Sequence, residues 1–411
     1  MTSPAAYKQH CIFCKSQYHT YRNCPMAYRA QRVKLLSANA KAEYAGQSPN
    51  VFVGQYGYPR VNVGFLNVEQ YTEQDEPLKW SKEGKKIPEI VDLRTQLVNS
   101  HFQQHIKSFS DRLLAMSQEV GMASKPADVE VKLEKKPSYT TSFDTHAQPH
   151  GPSVALKSAR LTENVKVDTR VEKAVADSDL KSAEALGTLA TKGFDEHFLT
   201  KLFSTGNLGV AAQRKLVPTK WSITAVDDTL GKRHIKEVKN FSESDCKVFI
   251  GGYLGNNYVI LFYDDVWSYE LFEGYVPMLH QKGEDAWETD EEGYDGRKQY
   301  ATETVGGYYA ARLSILERLR HDKRQAAVLA LRFVTTDYTA PLGVWVVREA
   351  VRKAMTSTPL TFPDRAAMEQ YVIAQCKREF SFDVTGTLRG KSVLLKRLRS
   401  QTRLAKWTGM A

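Results

Sequence analysis

The alternation of apolar and polar positions divides the chain into helical and extended stretches. Met26 to Tyr44 is rich in Ala, Gln, Arg, Leu and Lys, good helix formers, and predicts a helix broken at Ser48-Pro49-Asn50. Val51-Phe52-Val53 and Val61-Asn62-Val63 then flank Gly54, Gly57, Pro59 and Gly64 as strand, turn and strand. Helical patterns run from Ile90 to Val98 and from Gln103 to Gln118. The stretch from Met122 to Pro152 is polar and carries four prolines, which predicts an extended crossing segment or an exposed linker. Alternation from Val154 to Val171 predicts one or two strands, and Ser178 to Gly193 a helix with glycine at its end. Lys247 to Ile250 and Tyr258 to Tyr263, around Gly251-Gly252 and Gly255-Asn256-Asn257, predict a hairpin. An acidic insert with seven carboxylates occupies 284–295. Tyr308 to Arg320 and Val344 to Met355 read as helices, and Ala326 to Val334 as a buried strand or helix. No fixed-period repeat disfavours solenoids and propellers. The pattern predicts an α+β body built on a mixed or antiparallel sheet.

Composition bounds this picture. With 411 residues, 42% of them apolar and 25% charged, the chain can form a sizeable core and about two or three domains. There is no 18-residue apolar run, even around Val248 to Tyr263, so no membrane span is expected. The N-terminus has no apolar signal core, and five cysteines are too few for a secreted disulfide scaffold, so the expectation is a soluble, intracellular, cytoplasmic protein. The formal charge of +10 is unevenly placed. Residues 1–42 hold seven basic residues and no acid, and residues 384–411 hold seven more with no acid, which leaves the body between at −4. Two basic ends on a slightly acidic body suggest polyanion contacts at the termini; solvated flexible ends are the alternative.

The first of these ends carries Cys11-x2-Cys14-x4-His19-x4-Cys24. Three cysteines and a histidine at this spacing can close a tetrahedron around one structural Zn²⁺, whose binding would supply most of the folding energy of so short a segment. The spacing is that of a zinc knuckle, a module that meets single-stranded nucleic acid; Phe13, Tyr18 and Tyr21 could stack on bases while Lys15 and Arg22 meet phosphates. The usual knuckle glycines are absent: Lys15 follows the second cysteine and Tyr18 precedes the histidine.

Longer blocks carry a resemblance. Residues 48–64, SPNVFVGQYGYPRVNVG, and 91–98, VDLRTQLV, are similar to signatures of the archaeal Nre family of DNA repair proteins. So are residues 214–231, RKLVPTKWSITAVDDTLG, and in the C-terminal part 306–312, GGYYAAR, and 341–345, PLGVW. The resemblance covers nearly the whole chain. It implies a part in the response to DNA damage, DNA as a partner, nucleoid association, an N-terminal zinc finger and a C-terminal peptide that binds the replication sliding clamp (PCNA). Many relatives have four cysteines in the finger; here His19 takes one place. The organisation it implies is a zinc-finger segment at 1–30, an N-terminal domain at 31–275, a C-terminal domain at 276–397 and a clamp-binding tail at 398–411.

In the tail, Gln401-x2-Leu404-x2-Trp407 fits a clamp-binding peptide spanning 401–408. A single helical turn puts Leu404 and Trp407 on one side as a plug for an apolar groove, with Gln401 beside a polar pocket. Thr408 stands where a second aromatic is common, which predicts weaker binding. The alternative is an amphipathic helix packed on the body through Val393, Leu394, Leu395, Leu398, Leu404 and Trp407.

The body contains no P-loop, G-x-S-x-G or HExxH motif. Its suggestive stretch is Arg214 to Glu237, polar and punctuated by glycine. Asp227 and Asp228 could hold Mg²⁺ for a nuclease or nucleotide-modifying reaction, with His234 and Lys220 as partners. Arg214, Lys220 and Ser222 could instead cradle a phosphate, with Trp221 on a base; Arg312, after Gly306-Gly307, and Arg60 are further anion-binding candidates. The structural alternative is that the two aspartates cap a turn before Gly231 and Trp221 belongs to the core.

Overall fold

A computed structural model describes residues 36–108, 111–139 and 151–400. The described residues form two compact units, one of those up to 230 together with 339–343, the other of 231–338 together with 344–400. The expected zinc ligands Cys11, Cys14, His19 and Cys24, and the tail residues Gln401, Leu404 and Trp407, lie outside the described residues.

The first unit is built on a closed barrel. Strands β1 (Glu43–Val53) and β2 (Arg60–Val68) form a hairpin. Helices α1 (Pro77–Glu83) and α2 (Ile87–Gln96) lead into β3 (Val98–His105), and α3 (Arg112–Met122) into β4 (Ala127–Leu133) and β5 (Ser153–Leu161). The order β1-β2-β3-β5-β4 closes on β1, and among these pairs β3 with β5 is parallel while the others are antiparallel. Inward positions alternate along each strand: Val51 and Val53, then Val61, Val63 and Phe65, then Val129, Val131 and Leu133 fill the interior with Leu114 and Val120 of α3. A bulge between Gln47 and Asn50 lets β1 turn from β4 to β2, so Ser48-Pro49-Asn50 bends a strand and does not end a helix. The helical composition of 26–44 is overruled at Glu43 and Tyr44, which pair with β4. The expected helix at 103–118 begins only at Arg112, where the Asp111 carboxylate accepts from the Leu113 and Leu114 amides. Of the two readings of the polar stretch from Met122 to Pro152, the extended one holds where it contains β4, whose alternation buries one face.

Four helices follow: α4 (Thr169–Ala176), α5 (Ser182–Thr191), α6 (Glu196–Ser204) and α7 (Thr219–Val238). The residues of α7 up to Leu230 belong to the first unit and those from Gly231 to the second.

The second unit contains a short parallel pair, β6 (Ser242–Glu243) with β11 (Arg324–Gln325), and a six-stranded mixed sheet. The sheet comprises β7 (Lys247–Tyr253), β8 (Asn256–Tyr263), β9 (Ser268–Tyr275), β10 (Glu288–Glu292), β12 (Ala327–Val334) and β13 (Leu360–Thr361), in the order β10-β9-β12-β8-β7-β13. The expected hairpin is β7 with β8, and the acidic insert supplies β10. Helices α8 (Val276–Lys282), α9 (Val305–Asp322), α10 (Val344–Thr356), α11 (Arg365–Phe380) and α12 (Val393–Ser400) complete the unit. Both sheet faces are covered, which explains the unbroken apolar runs of β8 and β12. Tyr258, Ile260 and Phe262 pack with α9 and α10, while Val259, Leu261 and Tyr263 pack with α11 and α12. Among the described residues no helix is long and apolar enough to cross a membrane.

Candidate functional site

The polar centre of the first unit forms where sequence blocks far apart in the chain meet at one carboxylate. Asp75, in the turn before α1, is almost wholly buried. Its Oδ1 accepts from Arg94 Nη1 on α2. Its Oδ2 accepts from Asn50 Nδ2 at 2.7 Å and lies 2.9 Å from His197 Nε2 on α6. Burial alone would raise the Asp75 pKa, but the charges of His197 and Arg94 and the hydrogen bonds of His197 and Asn50 hold it well below the carboxylate range. For His197 burial acts downward, and the Asp75 carboxylate outweighs it, so the imidazole is held above its ordinary value.

One turn further along α6, Lys201 is buried as well. Its Nζ donates to Ala123 O at 3.0 Å and Pro49 O at 3.3 Å and sits 5.1 Å from the centre of the Phe198 ring. Burial brings its pKa down to about 8, against the opposing pull of Asp75, Asp195 and Glu76. The α6 helix begins at this centre because the Asp195 carboxylate accepts from the Phe198 amide at 2.8 Å. Tyr71 closes another side by donating to Glu76 Oε1 at 2.8 Å.

These groups border a cavity of about 160 Å³, lined also by Ser124, Lys125 and Pro126. Its volume is below the roughly 300 Å³ at which pockets begin to hold drug-sized ligands, and a water occupies about 30 Å³. A small molecule or a few waters fit. The lining offers ammonium and imidazole donors beside carboxylate acceptors, which suits a ligand carrying both kinds of group.

The residues singled out in the sequence are distributed differently. Arg214 donates to the carbonyls of Gly209, Val175 and Asp177 at 2.8, 2.7 and 3.1 Å, and so ties backbone segments together. Ser222 is buried and donates to Val217 O at 3.3 Å. Lys220 is exposed on the first turn of α7, as is Trp221, which is no core residue: it packs against Tyr58 with ring centres 5.3 Å apart. Arg60 is exposed at the start of β2.

Asp227 and Asp228 lie inside the continuous helix α7 and not at a turn; Asp227 is buried and Asp228 half-buried. Among the described residues no group of three or more His, Cys, Asp or Glu side chains is arranged to hold a metal ion. In the second unit His234 is half-buried, with burial and then Arg320 holding it below its ordinary pKa. Arg312 is buried and donates to Glu292 Oε2 at 2.7 Å. Gly231 remains in α7 because a Cβ there would come within 3.2 Å of the Arg312 guanidinium.

Sequence reasoning missed Asp75, His197 and Lys201. The available signal was indirect: Asn50 and Arg94 belong to two separate blocks, and their common partner is Asp75.

Comparison with known proteins bears on the whole chain. Residues 20–280 match the family described as Archaeal Nre, N-terminal, and residues 292–407 the one described as Archaeal Nre, C-terminal. The chain is 37% identical over 325 residues to a DNA repair protein NreA of Haloferax volcanii, covering 76% of this chain and 77% of that one. It is 36% identical over 360 residues to a DNA repair protein NreA of Archaeoglobus fulgidus, covering 86% and 90%. Against a DNA repair protein NreB of the same organism it is 33% identical over 404 residues, covering 95% and 98%. No solved structure matches the chain. Domain matches across both units and relatives aligned over most of their length place the chain in the archaeal Nre family.

Proposed function

We propose that this protein acts in DNA repair as a recruited factor, docking on the replication sliding clamp through Gln401, Leu404 and Trp407 and carrying a zinc-bound segment at Cys11, Cys14, His19 and Cys24. The observation that carries the reading is that relatives aligned over three quarters or more of this chain bear the name DNA repair protein. The tail supports it independently, since its Gln-x2-Leu-x2-Trp spacing suits an aliphatic and aromatic plug on one turn. Lys391 and Arg399 pair with Asp285 and Glu369 of the body, while Arg403 and Lys406, within the peptide itself, suit either an acidic groove on the clamp or the DNA passing through it. Tethering to the clamp raises the local concentration at DNA without further contacts.

The test is a pull-down of the full chain with purified sliding clamp. Trp407→Ala abolishes capture while the zinc content stays at that of the parent, because the tail and the metal segment lie at opposite ends of the sequence. Undiminished capture by the variant would remove the tail from the account.

A further inference from the structure

We infer that the barrel of the first unit binds single-stranded DNA on the outer face of β2 and β3, with Tyr56, Tyr58 and Trp221 as stacking platforms. A closed five-stranded barrel in the order β1-β2-β3-β5-β4, with a parallel β3–β5 pair and a helix between β3 and β4, has the strand order of the oligonucleotide/oligosaccharide-binding barrel. Such barrels bind strands across the β2–β3 face, next to the β1–β2 loop. Fold alone does not establish function, so the residues on that face must carry the claim.

The register fixes which residues those are. Arg60 pairs with His105, Asn62 with Gln103 and Gly64 with His101, and Phe52 of β1 stands opposite Gly64. Val61, Val63 and Phe65, the alternate positions of β2, point into the core, so this set lies on the other side of the strands, where Phe52, Arg60, Asn62, Gln103 and His105 are exposed and Gly64 is covered by Asn99. Aromatic exposure is concentrated here. Tyr56 in the β1–β2 loop is 85% exposed, Tyr58 43% and Trp221 46%; with Phe52 they are the exposed large hydrophobics among the described residues of this unit. A base offers its π-face to such rings whatever its identity, so the surface suits a strand without a strict sequence.

The loop that carries the tyrosines is anchored at both ends. Gly54 N donates to Asn62 O at 2.8 Å, Arg60 N to Gly57 O at 2.9 Å, and Ile106 N to Pro59 O at 3.1 Å. Gly57, at φ +81°, has a conformation that a side chain would strain, and a Cβ there would meet Arg60 O at 2.6 Å. Val53 N also donates to Thr219 Oγ1 at 2.9 Å, which fixes the start of α7, and hence Trp221, beside the loop.

Charge on this face is one-sided. Residues 50–68, 98–108 and 214–226 contain no carboxylate, while Arg60, Lys107, Lys215 and Lys220 are exposed. The body's net negative charge therefore lies elsewhere, and the strands and loop that bear the aromatics are left cationic. Rings interleaved with cations on strands and a loop that themselves carry no carboxylate match the two components of a single strand, its bases and its phosphates. That the strand is DNA and not RNA rests on the repair reading above.

The experiment measures binding of the full chain to a fluorescein-labelled 20-nucleotide oligo-dT by anisotropy, at several salt concentrations, with oligo-rU and a duplex alongside. The Tyr56→Ala/Tyr58→Ala/Trp221→Ala variant, with unchanged circular dichroism and Tm, weakens oligo-dT binding by about tenfold or more at every salt concentration. Arg60→Ala lowers the salt dependence by roughly one phosphate contact. Crosslinking to an oligonucleotide carrying 5-iodouracil yields adducts on Tyr56, Tyr58 or Trp221. The inference is overturned if the folded triple variant binds oligo-dT within twofold of the parent, or if adducts are confined to residues 1–35. A preference for oligo-rU overturns DNA as the occupant. Clamp capture through Trp407 is read separately, so failure on this face and failure of the recruitment reading are distinguishable.

Discussion

The Asp75 carboxylate and the His197 imidazole meet at 2.9 Å although 122 residues separate them. Asp75 has nowhere to turn for solvent, so its charge is held by Arg94, Asn50 and His197 together. A buried charge that loses a partner is costly, and Asp75→Asn removes the charge while leaving three donors facing a neutral amide. The expected loss is about 3 kcal/mol of folding stability in urea denaturation at pH 6. The pH dependence follows from the two shifts. Asp75 has a depressed folded pKa, so its contribution is complete above its unfolded pKa and falls away in acid; His197 has a raised one, so its contribution is complete below its unfolded pKa and is lost as pH rises through the folded value. The difference between parent and variant is therefore greatest between about pH 4.5 and 6.5 and shrinks on either side. A difference flat from pH 4 to 9 would show that the pair is not coupled to folding.

Lys201 shows the opposite linkage on the same helix. Its folded pKa is about 8, below the unfolded value, so between about pH 8 and 10 the unfolded chain binds a proton that the folded chain does not. Stability attributable to this residue rises across that window by roughly 1.4 kcal/mol per pH unit. Lys201→Met removes the rise, so the parent gains on the variant by about 2 kcal/mol from pH 8 to 9.5, measured by urea midpoints at fixed ionic strength. Parallel curves for the two proteins would place the Lys201 ammonium in solvent.

Local patterning made much of the secondary structure legible. The β7–β8 hairpin, α9 and α10 follow from apolar period and glycine-rich turns, each a local consequence of side-chain spacing and backbone freedom, whereas the apolar run of β12 fits a buried strand or a helix equally and only its pairing decides. Glu43 and Tyr44 were misread for the same reason, since their strand conformation is imposed by pairing with Val131 and Lys132 nearly ninety positions away. The candidate sites divide along that line as well. Trp221 and Arg60 are exposed, as a contact role would require, but Arg214 and Ser222 turn inward to backbone carbonyls that no sequence pattern reveals. Asp75 could not be singled out because its neighbours in sequence are ordinary, and only the fold brings Asn50, Arg94 and His197 to it.

The β7 strand accepts α10 through a missing side chain. A Cβ on Gly251 would lie 2.7 Å from Ala354 Cα, a backbone atom that cannot rotate away. Gly251→Ala therefore pushes α10 off the sheet and costs about 1 to 3 kcal/mol. The check is a thermal melt of the full chain. Gly84→Ala has open space around its added methyl, so it reports only the strain of its left-handed φ and serves as a control for steric overlap.

The proposed zinc segment has its own test, since the spacing of Cys11, Cys14, His19 and Cys24 names the four ligands to expect. Elemental analysis of purified protein yields about one zinc per chain, and Cys14→Ser loses it, because three ligands hold the ion far more weakly than four. Retention of a full equivalent by the variant would mean that other residues supply the site, with His10 the first alternative to examine.

Arg312 and Glu292 separate a structural role from an anion-binding one. Both side chains are essentially inaccessible, with Arg312 Nη1 2.7 Å from Glu292 Oε2, and Trp267 Nε1 donates to the other oxygen of the same carboxylate at 3.3 Å. Arg312→Met leaves the Glu292 charge buried without its cation and costs about 3 to 5 kcal/mol. Adding Glu292→Gln to that variant removes the stranded charge and recovers part of the loss, so the two substitutions are not additive in a double-mutant cycle. An arginine whose main work is to hold phosphate gives a different pattern: its single substitution leaves the urea midpoint near that of the parent, and the cycle closes with no coupling to Glu292.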